Sequence, residues 1–444
     1  MERNLKVNLG NLVLSLSDAM DLANASVARH QQRTAFIAWE LGKAAGLPDE
    51  RLENNFIAAL LHDIGALSVE DKMSLHDHEV LNVEEHCIRG ADLLNNIPWL
   101  ENAAGIVRYH HKEWQLWKEA PETPVVFDSQ LLSLADFLER AIKRDRYILH
   151  QHEDVIARIK SLSGSSFHPQ AVELCLAAAD REEFWLDLMS PRLYSLLLHE
   201  GPFQKREIDL SHIAVIAELF RNIIDFRSRF TATHSSGVAA CAQLLSRMFG
   251  LTEAETELME VAGNLHDLGK LAIPNSILEK PGPLTKEEMA VMKSHTYYTY
   301  VVINTIGGLQ QIAEWGAYHH ERLDGSGYPF RCQADALSTG ARIMGVADIF
   351  TALAEDRPYR KGMPKEKIIT ILKDFSDRQL LSARIVDLLF DNFDEVAVQV
   401  AEKQAAARGF YEKQFAFLDD DLSERKRLKK VSTSKAHASW APGA

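Results

Sequence analysis

Seven residues in the second half of the chain have side chains that bind transition metals. They occur in short motifs that contain His234, His266-Asp267, His295, His319-His320 and Asp348. Imidazole nitrogens combined with carboxylate oxygens suit iron, manganese or zinc, whereas magnesium and calcium prefer sites built from oxygen. Because one zinc ion usually takes about four ligands, these donors exceed the needs of a single ion. The pattern therefore predicts a centre of two metal ions.

The donors divide evenly between two ions if Asp267 bridges them. The first ion would then be bound by His234, His266, Asp267 and Asp348, and the second by Asp267, His295, His319 and His320. Two ions roughly 3.5–4 Å apart can activate water and stabilise charge on a phosphoryl group, so the predicted chemistry is metal-assisted phosphoester hydrolysis. The alternative is that the histidines are hydrogen-bonded core residues. For a single histidine that alternative would be the better interpretation, but it does not explain five histidines that occur in this order with two aspartates.

A loop rich in glycine follows the paired histidines and runs from Glu321 to Pro329. Gly325 and Gly327 interrupt regular structure and allow the backbone to approach a ligand closely. Tyr328 can either stack on a base or pack within the loop.

Basic residues lie near the metal motifs in sequence. Lys270 is placed to meet a phosphate oxygen, although it could also complement the carboxyl end of a helix. Arg357 and Arg360 follow Asp348 closely enough to add positive charge near the metals, or to form surface salt bridges instead.

The same donor pattern occurs earlier in the chain, in the same order and at nearly the same spacing. The earlier set is His30, His62-Asp63, His86, His110-His111 and Asp136. A separate His76-Asp77 pair has no counterpart and is attributed to chance. The ordered repeat indicates two versions of one structural unit, with loops that lengthened between fixed elements.

Helices are the elements that must position these donors. Two segments have the spacing of one helical face, namely His30, Thr34, Ile37, Leu41 and Ala44, and His234, Val238, Cys241, Leu245 and Met248. Gly46-Leu47-Pro48 should end the first helix, with Asp49 capping the next. The Thr252 to Glu255 segment is a capping box. The fold is therefore predicted to be all-α, with two tandem domains in residues 1–200 and 201–400, separated near Gly201-Pro202.

Composition limits the class of protein and its partners. The 444 residues are 46% hydrophobic and 25% charged, with a net charge of −14, which is typical of a globular protein and does not favour binding to polymeric nucleic acid. Four scattered cysteines suggest free thiols in a reducing compartment. We find no stretch that predicts a membrane span, and we expect a cytoplasmic protein. Residues 401–444 should comprise a helix end and a disordered basic tail.

The motifs of the second unit resemble an HD-GYP domain, a branch of the HD phosphohydrolase superfamily, over about residues 211–396. The resemblance implies an all-α fold and a bi- or trinuclear centre, often of iron or manganese, that hydrolyses cyclic di-GMP to a linear dinucleotide or to GMP. It also implies substrate contacts from Lys270, Arg322, Tyr328, Arg357 and Arg360. Some members carry a glutamate at the position of Phe230, so two ions are expected here rather than three.

The first unit resembles a plain HD domain. It retains all its donors, but Ala66 stands in place of Lys270, and a segment from Lys112 to Trp117 replaces the glycine-rich loop. We expect this unit to be degenerate and regulatory or structural, and a second metal site there would use His30, His62, Asp63, His86, His110, His111 and Asp136.

The sequence thus predicts a phosphodiesterase for a cyclic dinucleotide, either cyclic di-GMP or 3',3'-cyclic GMP-AMP, with Asp267 and Lys270 as catalytic residues. Two alternatives remain: a signal-binding adaptor that uses its Gly-Tyr-Pro loop to bind a protein partner, and an HD hydrolase of another nucleotide. Oligomerisation is compatible with the sequence.

Overall fold

The chain folds into helices, with one short pair of strands, as the computed structural model shows. It describes residues 5–22, 28–66, 83–121, 123–203, 206–226, 233–356, 361–410 and 412. Strands β1 (Lys6–Asn8) and β2 (Glu207–Asp209) pair antiparallel, with Val7 opposite Ile208. The predicted all-α fold is confirmed, and the described residues form two helical units in tandem.

The first unit contains ten α-helices within the described residues. They are α1 (Leu9–Asp21), α2 (His30–Ala44), α3 (Asp49–Leu61), α4 (Glu84–Asn95), α5 (Glu101–Tyr109), α6 (Pro124–Ala141), α7 (His152–Ser161), α8 (Pro169–Ala179), α9 (Glu182–Leu188) and α10 (Leu193–Glu200). Helices α2, α3, α5 and α6 form one packed group, and α4 packs against α5.

The second unit repeats this arrangement. Its helices are α11 (Leu210–Phe226), α12 (His234–Phe249), α13 (Glu253–Leu265), α14 (Asn275–Leu278), α15 (Lys286–Thr305), α16 (Gln310–Ala317), α17 (Thr339–Ala354), α18 (Lys365–Asp377) and α19 (Ala383–Asp391). Residues 393–410 are also helical. Helices α12, α13, α15, α16 and α17 correspond to α2, α3, α4, α5 and α6.

Apolar periodicity explains which helix faces are buried. In α2, Ile37 and Leu41 are fully buried, as are Val238 and Leu245 in α12. Ala44, at the end of the predicted face of α2, is exposed instead. The predicted faces therefore form the core, except at their last turn. Among the described residues, no helix combines the length and the apolar character needed to span a membrane.

Helix ends follow the sequence signals with one exception. Thr252 and Glu255 form the predicted capping box at the start of α13. Asp49 was expected to cap α3 but is its first residue, because extended Pro48 occupies the cap position. Proline is tolerated there because an amide hydrogen at the start of a helix has no partner within the helix. Asp49 instead places a negative charge in the first turn, where it interacts favourably with the positive end of the helix dipole.

Helix α1 joins the two units. It packs against α2 and α3 of its own unit, against α15 of the second unit, and against the 3₁₀ turn Leu268–Ala272. Asn11 donates from its Nδ2 to the carbonyl oxygens of Thr305 and Ile306, at 3.2 and 2.6 Å. These carbonyls end α15 and have no amide partner further along the helix, so Asn11 of the first unit caps a helix of the second.

Replacing Asn11 with alanine should destabilise the contact between the units. The carbonyls of Thr305 and Ile306 would lose their donor, which we expect to cost about 1–3 kcal/mol of unfolding free energy. Urea unfolding of Asn11→Ala measures this, and Gln310→Ala on the exposed surface of α16 serves as the control. A variant as stable as the control would show that this cap does not contribute to stability.

Candidate metal centre

The predicted donors of the second unit come from five separate elements and meet in one place. His234 begins α12, His266 and Asp267 follow α13, His295 lies within α15, His319 and His320 form a 3₁₀ turn after α16, and Asp348 lies within α17. Apart from His320, whose side chain is 26% exposed, all are buried. The structure thus brings together all seven donors that the sequence indicated.

Asp267 stands between two groups of donors. Its Oδ2 lies 3.2 Å from His266 Nε2, while its Oδ1 lies 3.4 Å from His295 Nε2 and 4.0 Å from His319 Nε2. The two oxygens therefore face different histidines, as a bridging carboxylate would.

Asp348 lies between one histidine of each group. Its Oδ1 is 3.1 Å from His234 Nε2, and its Oδ2 is 3.8 Å from His320 Nδ1. Three histidines, His295, His319 and His320, lie close enough together to hold an ion, as do His234, His266 and Asp348.

Backbone carbonyls fix the orientation of the central rings. The Nδ1 atoms of His266, His295 and His319 donate to the carbonyl oxygens three residues earlier, at 2.7, 2.6 and 2.6 Å. Because a carbonyl can only accept, Nδ1 carries the hydrogen and Nε2 presents its lone pair to the centre. His234 is held in the same way, since its Nδ1 lies 3.3 Å from a carboxylate oxygen of Glu355.

The charges and unpaired atoms of this centre suit metal ions. His266 Nε2 is buried without a hydrogen bond among the described residues. Burial lowers the pKa of His295 to about 4 and that of His320 to about 3, so both imidazoles are neutral at physiological pH. Burial would raise the pKa of Asp267, but His266 and Lys270 outweigh it and hold this pKa well below its usual range. Imidazole nitrogens beside ionised carboxylates are a donor set that a divalent transition metal takes.

A glycine allows the metal motif to approach α15. A Cβ atom on Gly269 would lie 1.9 Å from the carbonyl oxygen of His295, which is impossible without moving one of the two segments. The amide of Gly269 instead donates to Thr299 Oγ1 at 2.9 Å, and Thr299 donates to the carbonyl of His266 at 3.0 Å. Gly65 of the first unit makes the same close approach to His86.

Three of the predicted substrate contacts border the centre. Lys270 lies in the 3₁₀ turn after α13 and its ammonium group pairs with Asp267. The ring of Tyr328 lies 4.9 Å from that of His320, and burial raises its pKa. Arg322 is half-buried. Burial lowers the pKa of Arg322, and the negative charge of Asp348 is the largest effect that opposes this shift. Arg357, Arg360 and Phe230 lie outside the described residues.

Glu321 organises the glycine-rich loop, a role that the sequence did not reveal. Its carboxylate accepts hydrogen bonds from the backbone amides of Phe330, Arg331 and Cys332 at 2.7, 3.1 and 3.0 Å. Gly327 packs against the start of the same loop, where a Cβ would lie 2.4 Å from the Cα of Glu321. A buried carboxylate therefore holds the backbone that follows Pro329.

Two further acidic residues near His234 were also missed. Glu355 orients the imidazole from the end of α17, 121 residues away. Asp225, in α11, accepts a hydrogen bond from Ser235 Oγ at 2.6 Å, and its burial raises its pKa to about 6. Neither belongs to the repeated pattern of metal donors, so spacing alone could not identify them.

The first unit also assembles its predicted donors. His30, His62 and Asp63 lie within reach of one ion, and His86, His110 and His111 lie together with Cys87. Cys87 was not predicted as a donor, and the corresponding residue of the second unit is Thr296. Asp63 stands between the groups, with Oδ2 3.4 Å from His62 Nε2 and Oδ1 3.6 Å from His86 Nε2.

Removing the Glu321 carboxylate should loosen the loop. We expect Glu321→Ala to raise the amide hydrogen-exchange rates of residues 330–332 roughly 10- to 100-fold, because charge-assisted hydrogen bonds contribute about 1.5–3 kcal/mol. Asp324→Ala is the matched control, since Asp324 is exposed and holds one loop amide, that of Ser326. Unchanged exchange in Glu321→Ala would show that the loop is held by other contacts.

Asp225 should make the stability of the protein depend on pH. Its folded pKa of about 6 lies above the usual 3.8, so the protonated form stabilises the fold at low pH. This contribution is lost as the pH rises through about 6, by about 3 kcal/mol in total. The stability of Asp225→Asn relative to wild type should therefore rise between pH 4 and pH 8. Exposed Asp391→Asn is the control, and a pH-independent difference for Asp225→Asn would refute the shift.

Known proteins are similar to this chain in sequence. A "3'3'-cGAMP-specific phosphodiesterase 1" of Vibrio cholerae is 29% identical over 87% of this chain and 92% of its own length. A cyclic di-GMP phosphodiesterase response regulator of Xanthomonas campestris is 39% identical over 37% of the chain and 44% of its own length.

A solved structure shows the same fold. The crystal structure of a cyclic GMP-AMP-specific phosphodiesterase of V. cholerae superposes with a TM-score of 0.62, at 23% identity, over 88% of this chain and 98% of that one. The sequence profile of the HD domain matches residues 15–164 and 218–380. These two stretches include both sets of metal donors and more than half of the sequence, and the chain therefore belongs to the HD domain family.

Proposed function

We propose that this protein is a metal-dependent phosphodiesterase that hydrolyses a cyclic dinucleotide, with the second unit as its catalytic domain. The observation that carries the proposal is the convergence of five buried or half-buried histidines and Asp348 around the two oxygens of Asp267, with Lys270 beside them. A hydrogen-bonded core would not need so many nitrogen donors facing one point, whereas a pair of transition-metal ions that hydrolyses a phosphoester would use them as ligands.

Two divalent ions, iron or manganese, fit this donor set. We assign His234, His266 and Asp348 to one ion, and His295, His319 and His320 to the other, with Asp267 shared between them. When bound, such ions supply activated water and neutralise charge that develops on the phosphoryl group.

The residues around the metal ligands would bind and orient the substrate. Lys270 is positioned to donate a charge-assisted hydrogen bond to a phosphate oxygen. Tyr328 presents a ring at the edge of the centre, with Lys293 Nζ 5.0 Å from its centroid, and such a ring can stack on a base. Arg322 adds a guanidinium group on the side of Asp348. We keep Arg357 and Arg360 as further contacts predicted by the sequence.

We propose 3',3'-cyclic GMP-AMP as the preferred substrate and a linear 5'-phosphorylated dinucleotide as the product. The support is that the V. cholerae relative that matches both units is named for this substrate. The relative named for cyclic di-GMP matches too little of the chain to span both units. Cyclic di-GMP is accordingly the second candidate.

We further propose that residues 1–200 form a regulatory domain and residues 201–400 the catalytic domain. Ala66 in place of Lys270 supports this division, as does the different segment after His111. A cytoplasmic location, a protein partner at the Gly-Tyr-Pro loop and an oligomeric state stay predictions from the sequence.

Product analysis with each cyclic dinucleotide tests the function. Manganese- or iron-loaded protein should yield a linear dinucleotide, fastest from 3',3'-cyclic GMP-AMP, and Asp267→Asn should abolish product. We expect Lys270→Met to lower kcat/KM roughly 10- to 100-fold, because it removes one charge-assisted contact of about 1.5–3 kcal/mol. Lys280→Met, which removes the lysine paired with Glu288 on the surface, is the matched control.

The possible results separate the competing functions. If metal-loaded protein leaves both cyclic dinucleotides intact, the phosphodiesterase proposal is wrong and the adaptor function gains support. Hydrolysis of ordinary nucleotides alone would instead favour the general HD hydrolase.

A further inference from the structure

The helix of residues 393–410 packs against the second unit beyond the end of the stretch that the HD domain profile matches. Phe393, Val396 and Val400 are buried on one face of this helix, and Phe393 packs edge to face on a phenylalanine of α17, with 5.5 Å between the ring centroids. Gln404 follows Val400 by four residues and therefore continues the same face. A polar side chain thus lies where the apolar stripe approaches the metal centre.

Gln404 contacts the carboxylate that orients the first histidine of the centre. Glu355 Oε2 lies 3.3 Å from Gln404 Nε2 and 3.3 Å from His234 Nδ1. Both nitrogens donate to this one oxygen, since a carboxylate only accepts. The other imidazole nitrogen, His234 Nε2, lies 3.1 Å from Asp348 Oδ1, and both atoms belong to the donor set proposed for one ion. A chain of contacts thus leads from the helix of residues 393–410 to a proposed metal ligand.

A glycine leaves the room that Gln404 occupies. Gly237 lies in α12, three residues after His234 and so on the same side of the helix. A Cβ atom at this position would lie 2.8 Å from Gln404 Nε2 and 3.1 Å from its Cδ, closer than packed atoms approach. Glycine is unfavourable inside a helix relative to alanine, and here it allows the amide of Gln404 to lie beside the carboxylate.

The first unit holds the corresponding carboxylate with positive charge instead. Arg33 stands at the position of Gly237, since the two are separated by the same 204 residues as the first histidines of the two units. Its Nη1 lies 3.4 Å from Glu139 Oε1, and Arg144 pairs with that same oxygen. Glu139 Oε2 in turn lies 2.6 Å from His30 Nδ1. Two guanidinium groups therefore offset the charge of this carboxylate, whereas the neutral amide in the second unit does not.

The difference in charge affects the strength of the imidazole as a ligand. A carboxylate that accepts a hydrogen bond from a metal-binding histidine fixes the orientation of the ring and raises its basicity. A cation paired with that carboxylate weakens the second effect and also repels a nearby metal ion. An amide donor orients the carboxylate and leaves its negative charge in place.

We propose that Gln404 is a positioning residue of the metal centre, which orients Glu355 and through it the imidazole of His234, and so increases the affinity for the ion that His234 binds. The helix of residues 393–410 is then part of the catalytic unit, although it lies outside the stretch that carries the metal motifs. The inference rests on the proposed metal centre, and the identity of the substrate does not enter it.

Titration of the full chain with Mn²⁺ tests the inference. The protein is stripped with chelator, and the free ion is measured by electron paramagnetic resonance. The binding step that disappears in His234→Gln identifies the ion concerned. We expect Gln404→Met, which keeps the length of the side chain but removes the amide, to raise the Kd of that step roughly 3- to 10-fold. Gln399→Met, at an exposed position of the same helix, is the matched control and should bind as wild type does.

A second variant tests the role of charge. Gln404→Lys places a cation beside Glu355, as the arginines do beside Glu139, and should raise the Kd of the same step more than Gln404→Met does, roughly 10- to 100-fold.

Kinetics separate positioning from a general structural role. In Gln404→Met, the Mn²⁺ concentration that gives half-maximal hydrolysis should rise by the same factor as the Kd. At saturating Mn²⁺, kcat and KM should return to within about twofold of wild type, because the substrate contacts are unchanged. A damaged fold would instead lower kcat at every Mn²⁺ concentration.

Several results would overturn the inference. Equal Mn²⁺ affinity in Gln404→Met and Gln399→Met refutes the role of the amide, and wild-type affinity in Gln404→Lys refutes the role of charge. A kcat that stays low at saturating Mn²⁺ shows that Gln404 acts on the fold and not on the ion. Failure of the proposed function is distinguishable, because a wild-type chain that binds Mn²⁺ without hydrolysing a cyclic dinucleotide refutes the phosphodiesterase alone. A wild-type chain that binds no Mn²⁺ refutes both.

Discussion

The burial of Asp267 and Asp348 is the constraint on which the second unit depends. An ionised carboxylate is costly to bury unless hydrogen bonds and opposite charges compensate it. Lys270 and His266 compensate Asp267, and His234 compensates Asp348. Imidazole nitrogens and carboxylate oxygens therefore face one another across the centre, an arrangement that bound cations would stabilise. The packing of α12, α13, α15, α16 and α17 holds these groups at that separation.

The ends of helices supply the rigidity that this centre needs. The last carbonyls of an α-helix lack amide partners, and both units use them to orient histidines. His62 and His266 each donate to a carbonyl in the last turn of the preceding helix. A histidine placed directly after a helix thus satisfies a free carbonyl and directs its other nitrogen at the metal site. The motif His-Asp after a helix combines a helix cap with two proposed metal ligands.

The two units show how one scaffold can diverge by a few charges. Lys270 is replaced by Ala66, and Ala352 by Arg140, so the positive charge lies on a different carboxylate in each unit. Helix α1 contacts both the helices of its own unit and the 3₁₀ turn that carries Lys270. Helix α1 therefore gives the proposed regulatory domain a physical connection to the turn that carries Lys270.

The sequence by itself determined the helical class and the duplication, and it predicted the set of metal donors that the fold brings together, because these depend on residue type and on local periodicity. The number of donors also led to the prediction that two ions share Asp267. Only the tertiary structure decided which carboxylates orient the predicted ligands and the nearby backbone. Glu355 contacts His234 although 121 residues separate them in the sequence, and Glu321 accepts hydrogen bonds from amides that follow the loop. It also placed Asn11 on the end of α15 and assigned the cap of α3 to Pro48. Such contacts form between elements packed from distant parts of the chain, and no repeat or spacing encodes them.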